Sequence, residues 1–237
     1  MKHSVRNMIG VVTTSVATFS ALLALADQSG PTSQPATQPN SPRVLRLGLE
    51  ERLGNIPLCI AFSPDGKTLA AGGANGVLRL WDTTAGKPIY KIAAHSSIIN
   101  AVAWSPNGQT IASAGADDTI RLWDVATRKV LVEIKEHTGM FSLAFSPDGK
   151  TLASDWTDNT VRLCDVAKGK PTQTLHDLGV ILTGVIFSPD GKSLAVTGTS
   201  TALVEIGSGK TVRLLATDAG GVPGVAFSPD GKTLAEA

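Results

Sequence analysis

The sequence is poor in the residue types that would mark it for chemistry or for charged partners. Only 5% of its 237 residues are aromatic, two are cysteines, and the formal net charge is +1. A charge this close to zero gives no general attraction to nucleic acid or to an acidic membrane surface. We therefore expect no nucleic-acid partner.

The two cysteines, Cys59 and Cys164, lie in the apolar runs "PLCIAF" and "VRLCDV". They could form a disulfide, but nothing in their spacing requires one, and two buried, unpaired thiols fit the apolar surroundings better. The sequence has no CxxC motif and no cluster of His and Cys with zinc-ligand spacing. It therefore predicts no metal site and no cofactor.

The first 26 residues have the pattern of a secretory signal. Lys2 and Arg6 precede an uncharged stretch that ends in Ala24-Leu25-Ala26, a small-x-small cleavage pattern. Residues 27–43 are rich in Pro, Ser, Thr and Gln, and we expect a disordered linker there. The sequence predicts a periplasmic or extracellular protein without membrane insertion after cleavage. The alternative is an uncleaved segment that anchors the chain to a membrane.

What the remaining chain, 44–237, does contain is a repeat. The motif "FSPDGKTLA" stands at 62–70, 145–153 and 227–235, with near copies at 104–112 and 187–195, so that its proline recurs every 40 to 42 residues. An alternating apolar run precedes each copy, "SPDG" is a turn, and three further short strands follow in each complete repeat. The pattern predicts an all-β fold of four-stranded antiparallel units.

The second repeat, residues 95–134, closely resembles a blade of the WD-repeat β-propeller family, with its G-H…W-D pattern. The resemblance covers about residues 44–237 and implies four full blades and a partial fifth. It also implies a structural hydrogen-bond network within a blade. The implied network residues are His95, Ser113, Asp117 and Trp123 in the second blade, His137, Ser154 and Asp158 in the third, and Trp81 in the first.

Several positions depart from the family pattern. The first blade has Ala71 where the network serine is expected, and the third has Cys164 where the tryptophan is expected. The fourth has Val204 and Glu205 in place of Trp and Asp. A ring in this family usually has six to eight blades. The chain is thus a piece of a longer propeller, an open arc that closes by self-association through its blade edges, or a small five-bladed ring.

The resemblance implies a non-catalytic scaffold that binds a protein or peptide. We predict four contact positions on the loops and strand starts: Trp156, Phe141, Asn100 and Thr183. An exposed Trp156 would be a typical interface residue, although it could instead pack on the neighbouring blade. Phe141 could likewise face the channel mouth or belong to the core.

An enzyme is the less favoured interpretation. Most aspartates are accounted for by the SPDG turns, so no carboxylate pair remains for acid–base work. The His, Ser and Asp of the second repeat are explained by the repeat framework. A further alternative is that the propeller is an accessory module of a larger secreted enzyme or signalling protein whose C-terminal part is missing.

Overall fold

The computed structural model describes residues 57–135, 139–215 and 224–236, without the side chain of Phe141. The predicted signal segment, the predicted linker and His137 lie outside the described residues. Within the described ranges the secondary structure is entirely β, as the sequence predicts. None of these residues forms a helix of the length and apolarity needed to cross a membrane.

In the described part of the chain, eighteen strands build four four-stranded sheets and one two-stranded sheet. The first four sheets, called blades one to four, have the antiparallel orders β1-β2-β3-β4, β5-β6-β7-β8, β9-β10-β11-β12 and β13-β14-β15-β16, and β17-β18 begins blade five. The strands are β1 Pro57–Phe62, β2 Thr68–Gly73, β3 Val77–Asp82, β4 Lys87–Ala93, β5 Ile99–Trp104, β6 Thr110–Gly115, β7 Thr119–Asp124, β8 Val130–Lys135, β9 Met140–Phe145, β10 Thr151–Trp156, β11 Val161–Asp165, β12 Lys170–Leu175, β13 Leu182–Phe187, β14 Ser193–Gly198, β15 Thr201–Glu205, β16 Lys210–Leu215, β17 Val225–Phe227 and β18 Leu234–Glu236.

The SPDG turn closes its own hydrogen bonds. In blade one, the Ser63 hydroxyl donates to Asp65 Oδ1 at 2.6 Å, and the same carboxylate oxygen accepts from the Lys67 amide at 3.0 Å. The Thr68 amide donates back to Ser63 Oγ at 2.9 Å, and Gly66 takes the left-handed conformation with φ 70°. The same pattern recurs in the other four copies. Each hairpin is therefore fixed by local chemistry.

Consecutive blades pack face to face through the inner two strands. Three apolar cores lie at the three successive interfaces between blades one and four, and each contains residues of both neighbouring blades. The tryptophan position of blade four holds Val204, which is fully buried in the third of these cores. Among the described residues the blades follow one another in an arc, and the ring is not closed.

Candidate functional site

The four network residues of blade two lie in one chain of hydrogen bonds. Trp123 Nε1 donates to Ser113 Oγ at 2.8 Å, Ser113 Oγ lies 2.7 Å from His95 Nε2, and His95 Nδ1 lies 2.8 Å from Asp117 Oδ1. A neutral imidazole that donates from Nδ1 to the carboxylate accepts the serine hydroxyl at Nε2. Each buried polar group thereby has a partner, which makes the blade rigid.

The surroundings fix the protonation states of the network. Burial lowers the pKa of His95, although its hydrogen bond to Asp117 opposes this. Burial alone would raise the pKa of Asp117, but the hydrogen bonds from His95, Thr119 and Ser96 hold that pKa well below its usual range. The pair is therefore a neutral imidazole beside an ionised carboxylate at neutral pH.

This His, Ser and Asp arrangement is not built for nucleophilic catalysis. Ser113 is 0% exposed, in the middle of β6, and its hydroxyl is engaged by both His95 and Trp123. A substrate carbonyl has no access to such an oxygen, whereas a nucleophile must be able to reach the reacting atom. No group of three or more potential metal ligands occurs within the described ranges.

In blade three, Trp156 is not an exposed contact residue, and the alternative, packing against the neighbouring blade, is the one that the structure shows. Its side chain is 1% exposed and packs in the core between blades two and three, and its Nε1 donates to Ser154 Oγ at 2.8 Å. The Arg162 guanidinium lies over the indole ring at 4.6 Å. Trp156 is therefore a core residue rather than a surface contact.

The physical reason lies in the residue that Trp156 replaces. At the same register position blade two has Gly115, and a methyl carbon added there would lie 2.2 Å from His95 Nδ1. The His95 imidazole and any side chain at position 115 would occupy the same space, so the glycine leaves that space to His95. In blade three the indole supplies the N–H that donates to Ser154 Oγ. The Asp158 carboxylate binds Thr160 Oγ1 and Arg162 there, each at 2.6 Å.

Blade one lacks the central acceptor of the network. Trp81 Nε1 is buried and has no hydrogen-bond partner among the described residues. The position that Ser113 holds in blade two belongs to Ala71, which has no side-chain oxygen. An unmade hydrogen bond of this kind costs about 1–3 kcal/mol.

The remaining predicted contact residues take part in contacts within the arc. Asn100 is half-buried, and its Nδ2 donates to the Met140 carbonyl at 3.1 Å, which ties blade two to blade three. Thr183 is also half-buried, with its hydroxyl 3.4 Å from that of Thr197. Phe141 is described only in its backbone, as part of β9.

Two exposed aliphatic side chains, which no sequence pattern indicated, lie on the same side of the arc. Ile98 and Ile181 stand immediately before the first strands of blades two and four, and they are 38% and 67% exposed. Their carbonyls accept from the amides of Ala116 and Thr199 at 2.7 and 3.2 Å. We call Ile98, Ile181 and these two turns the rim. The hydrogen bonds hold the rim residues in place on a fixed backbone.

Comparison with known proteins identifies the repeats. Residues 53–82, 86–124 and 128–165 each match the family model described as "WD domain, G-beta repeat". This chain carries WD repeats. The three matched WD repeats correspond to the first three blades, with their boundaries displaced along the chain. Blade four is not among the matched segments, in keeping with its missing Trp and Asp.

Curated relatives share single stretches of this WD-repeat chain. An uncharacterised WD repeat-containing protein of Nostoc is 41% identical over 49 residues, which are 21% of this chain and 3% of that protein. The small ribosomal subunit protein RACK1y of rice is 44% identical over 54 residues, 23% of this chain and 16% of the relative. The U5 small nuclear ribonucleoprotein 40 kDa protein of mouse is 42% identical over 48 residues, which are 20% of this chain and 13% of that protein. The chain thus spans a minor part of each relative's length.

Proposed function

We propose that this WD-repeat chain is a non-catalytic scaffold that binds a protein or peptide through the rim. The observation that carries the proposal is the exposure of Ile98 and Ile181 at equivalent positions of two blades. Large aliphatic side chains held on a rigid backbone are suited to burial in an interface, because they lose little conformational freedom on binding. The network residues, by contrast, are occupied within the blades.

The charge balance supports a protein partner over a nucleic acid. With a net charge of +1, the chain lacks the basic surplus that phosphate binding uses. WD-repeat relatives such as RACK1y and the U5 40 kDa protein carry names that place them in ribonucleoprotein assemblies. These names support a role in assembly for the repeats, and we extend only that role to this chain.

The test is site-specific photo-crosslinking in the native source. A photoreactive residue at position 181 should crosslink a defined protein partner. The matched control is position 131, because Leu131 is also a large exposed aliphatic (57%) but lies on the outer strand β8. Ile181→Asp should abolish recovery of the same partner, and Leu131→Asp should leave it unchanged. Equal crosslinking at both positions, or equal loss with both variants, would refute the rim proposal.

We also propose that the protein acts in the periplasm or outside the cell, or on a membrane if the N-terminal segment is kept as an anchor. The proposal rests on the pattern of Lys2, Arg6 and Ala24-Leu25-Ala26. The intact mass of the protein from its native source tests it. A mass that starts at Asp27 supports cleavage. A mass that includes Met1 or Lys2, with the protein in the cytoplasmic fraction, would contradict it.

A further role as an accessory module of a larger secreted protein is compatible with the same rim. The stretch that matches the Nostoc relative spans only 3% of that protein, so WD repeats of this kind also occur within a much longer protein. The mass measurement addresses this role too, because additional domains would appear as a mass well above that of 237 residues.

A further inference from the structure

The side of blade one that faces away from blade two repeats the surface that the other blades bury. Two residues before the aromatic that ends each first strand, blades two to four have Val102, Leu143 and Val185, which are 6%, 2% and 1% exposed. Each packs in a core shared with the preceding blade. The equivalent residue of blade one, Ile60, is 40% exposed.

The aromatic residue itself follows the same rule. Trp104 packs in the core between blades one and two, and its Nε1 donates to the Ala61 carbonyl of blade one at 3.0 Å. Phe145 and Phe187 pack against the cores that their blades share with the preceding blade. Phe62 is 52% exposed.

The SPDG turns stack along the arc in a regular way. A methyl carbon added to the turn glycine of each later blade would touch the proline of the preceding turn, whereas one added to Gly66 of blade one would have nothing within 4 Å. The distance from the added carbon to the proline Cδ is 3.7 Å for Gly108 and Pro64, 3.4 Å for Gly149 and Pro106, 3.4 Å for Gly191 and Pro147, and 3.5 Å for Gly231 and Pro189. We call Ile60, Phe62 and Gly66 the head face.

Blade five carries the surface that would pack against the head face. In blades one to three an alanine pair on the two inner strands is buried in the core shared with the next blade: Ala61 and Ala70, Ala103 and Ala112, Ala144 and Ala153. The corresponding pair of blade five, Ala226 and Ala235, is exposed, and none of the described glycines would place an added carbon against the turn proline of this blade, Pro229. We call these three residues the tail face.

We propose that the head face of one copy of this chain binds the tail face of a second copy, in the geometry that successive blades use within the arc. The head face and the tail face of one chain correspond to the two surfaces that meet at each of the three apolar interfaces within the arc. The two faces are therefore complementary in shape and in apolar character. The contact is between blade faces rather than between strand edges. Because head and tail differ, the interface is heterologous and adds copies in one direction.

The test is the association state of the full-length chain by analytical ultracentrifugation over a range of concentrations. The wild type should associate as concentration rises. Phe62→Asp on the head face and Ala226→Arg on the tail face should each weaken association about tenfold or more, because a charge would be buried without a partner. Both positions are exposed in the single chain, so circular dichroism should show that both variants fold.

Mixing the two variants separates a head-to-tail contact from any other. The Phe62→Asp chain keeps an intact tail and the Ala226→Arg chain keeps an intact head, so an equimolar mixture should form a dimer and stop there. Leu131→Asp on β8 is the matched control and should associate like the wild type. Ile181→Asp should do the same, which keeps this test independent of the rim.

Three results would overturn the proposal. Association that is insensitive to Phe62→Asp would place the contact at strand edges instead. A mixture that forms no dimer would exclude the head-to-tail geometry. A mass that does not change with concentration would exclude a second copy and would assign the head face to another segment of a longer chain.

Discussion

Replacing Trp156 by alanine should cost this protein a large part of its stability. The indole is 1% exposed in the core between blades two and three. Truncating a fully buried tryptophan typically costs about 3–5 kcal/mol. Of this, about 1 kcal/mol belongs to the hydrogen bond to Ser154 and ~0.5–2 kcal/mol to the contact with Arg162.

A second variant divides this total into packing and hydrogen bonding. Trp156→Phe keeps an aromatic ring in the core but loses the N–H, so we expect a loss of about 1–2 kcal/mol. Ser154 Oγ lies 3.4 Å from the Arg162 carbonyl, which gives its hydroxyl a remaining acceptor. The order of stability should therefore be wild type, then Trp156→Phe, then Trp156→Ala.

The assay is urea unfolding followed by circular dichroism, because tryptophan fluorescence changes with the substitution itself. The midpoint should fall at unchanged slope, and the melting temperature of Trp156→Ala should drop by roughly 6–20 °C for a chain of this size. Leu131→Ala, at a position 57% exposed, should change stability by less than about 0.5 kcal/mol. A loss below ~1 kcal/mol for Trp156→Ala would refute the assignment of this residue to the core.

Three further predictions concern blades one and two. Ala71→Ser gives Trp81 Nε1 an acceptor and should raise the free energy of unfolding by about 1 kcal/mol; an unchanged urea midpoint would contradict this. Gly115→Ala should destabilise by about 1–3 kcal/mol, because the added carbon would lie 2.2 Å from His95 Nδ1 and 2.5 Å from Asp117 Oδ1, and a double-mutant cycle should show that part of this loss disappears in a His95→Ala background. Burial lowers the pKa of His95 below its ordinary value of about 6.5, so the folded state binds fewer protons than the unfolded state. The free energy of unfolding should therefore decrease as the pH falls from ~6.5 towards the folded pKa. Melting temperatures measured over this pH range should show the decrease in the wild type and a flatter profile in His95→Gln.

The hairpins could be predicted from the sequence because their determinants are local. The serine, aspartate and glycine of each SPDG turn lie within four residues, and the side-chain bonds that close the turn in blade one are all made within residues 63–68. The apolar residues of β5 serve two cores, Val102 the core shared with blade one and Ala103 the core shared with blade three, and a short apolar run of this kind indicates a strand buried on both faces. Fold class and repeat length follow from such short-range patterns.

The environment of Trp156 could not be predicted in the same way, because it depends on space and not on pattern. At this position of blade two the His95 imidazole leaves no room for a side chain on Gly115, whereas the Trp156 side chain is buried in the core that blades two and three share. The exposure of Ile98 and Ile181 could not be predicted from the sequence for another reason. Each adjoins a buried apolar residue, Ile99 or Leu182, so the sequence does not show where the solvent-facing residue ends and the strand begins.

The two buried thiols make opening of the arc chemically observable. Cys59 Sγ lies 3.5 Å from the Ile99 carbonyl, between blades one and two, and burial raises the pKa of this thiol to about 12. Cys164 is buried in the core between blades two and three. Only an accessible thiolate can attack a disulfide reagent, forming a mixed disulfide and releasing the reagent's other sulfur as a thiolate, so labelling each cysteine requires its own interface to separate. Equal labelling rates would describe an arc that opens as one unit, and different rates an arc that separates blade by blade.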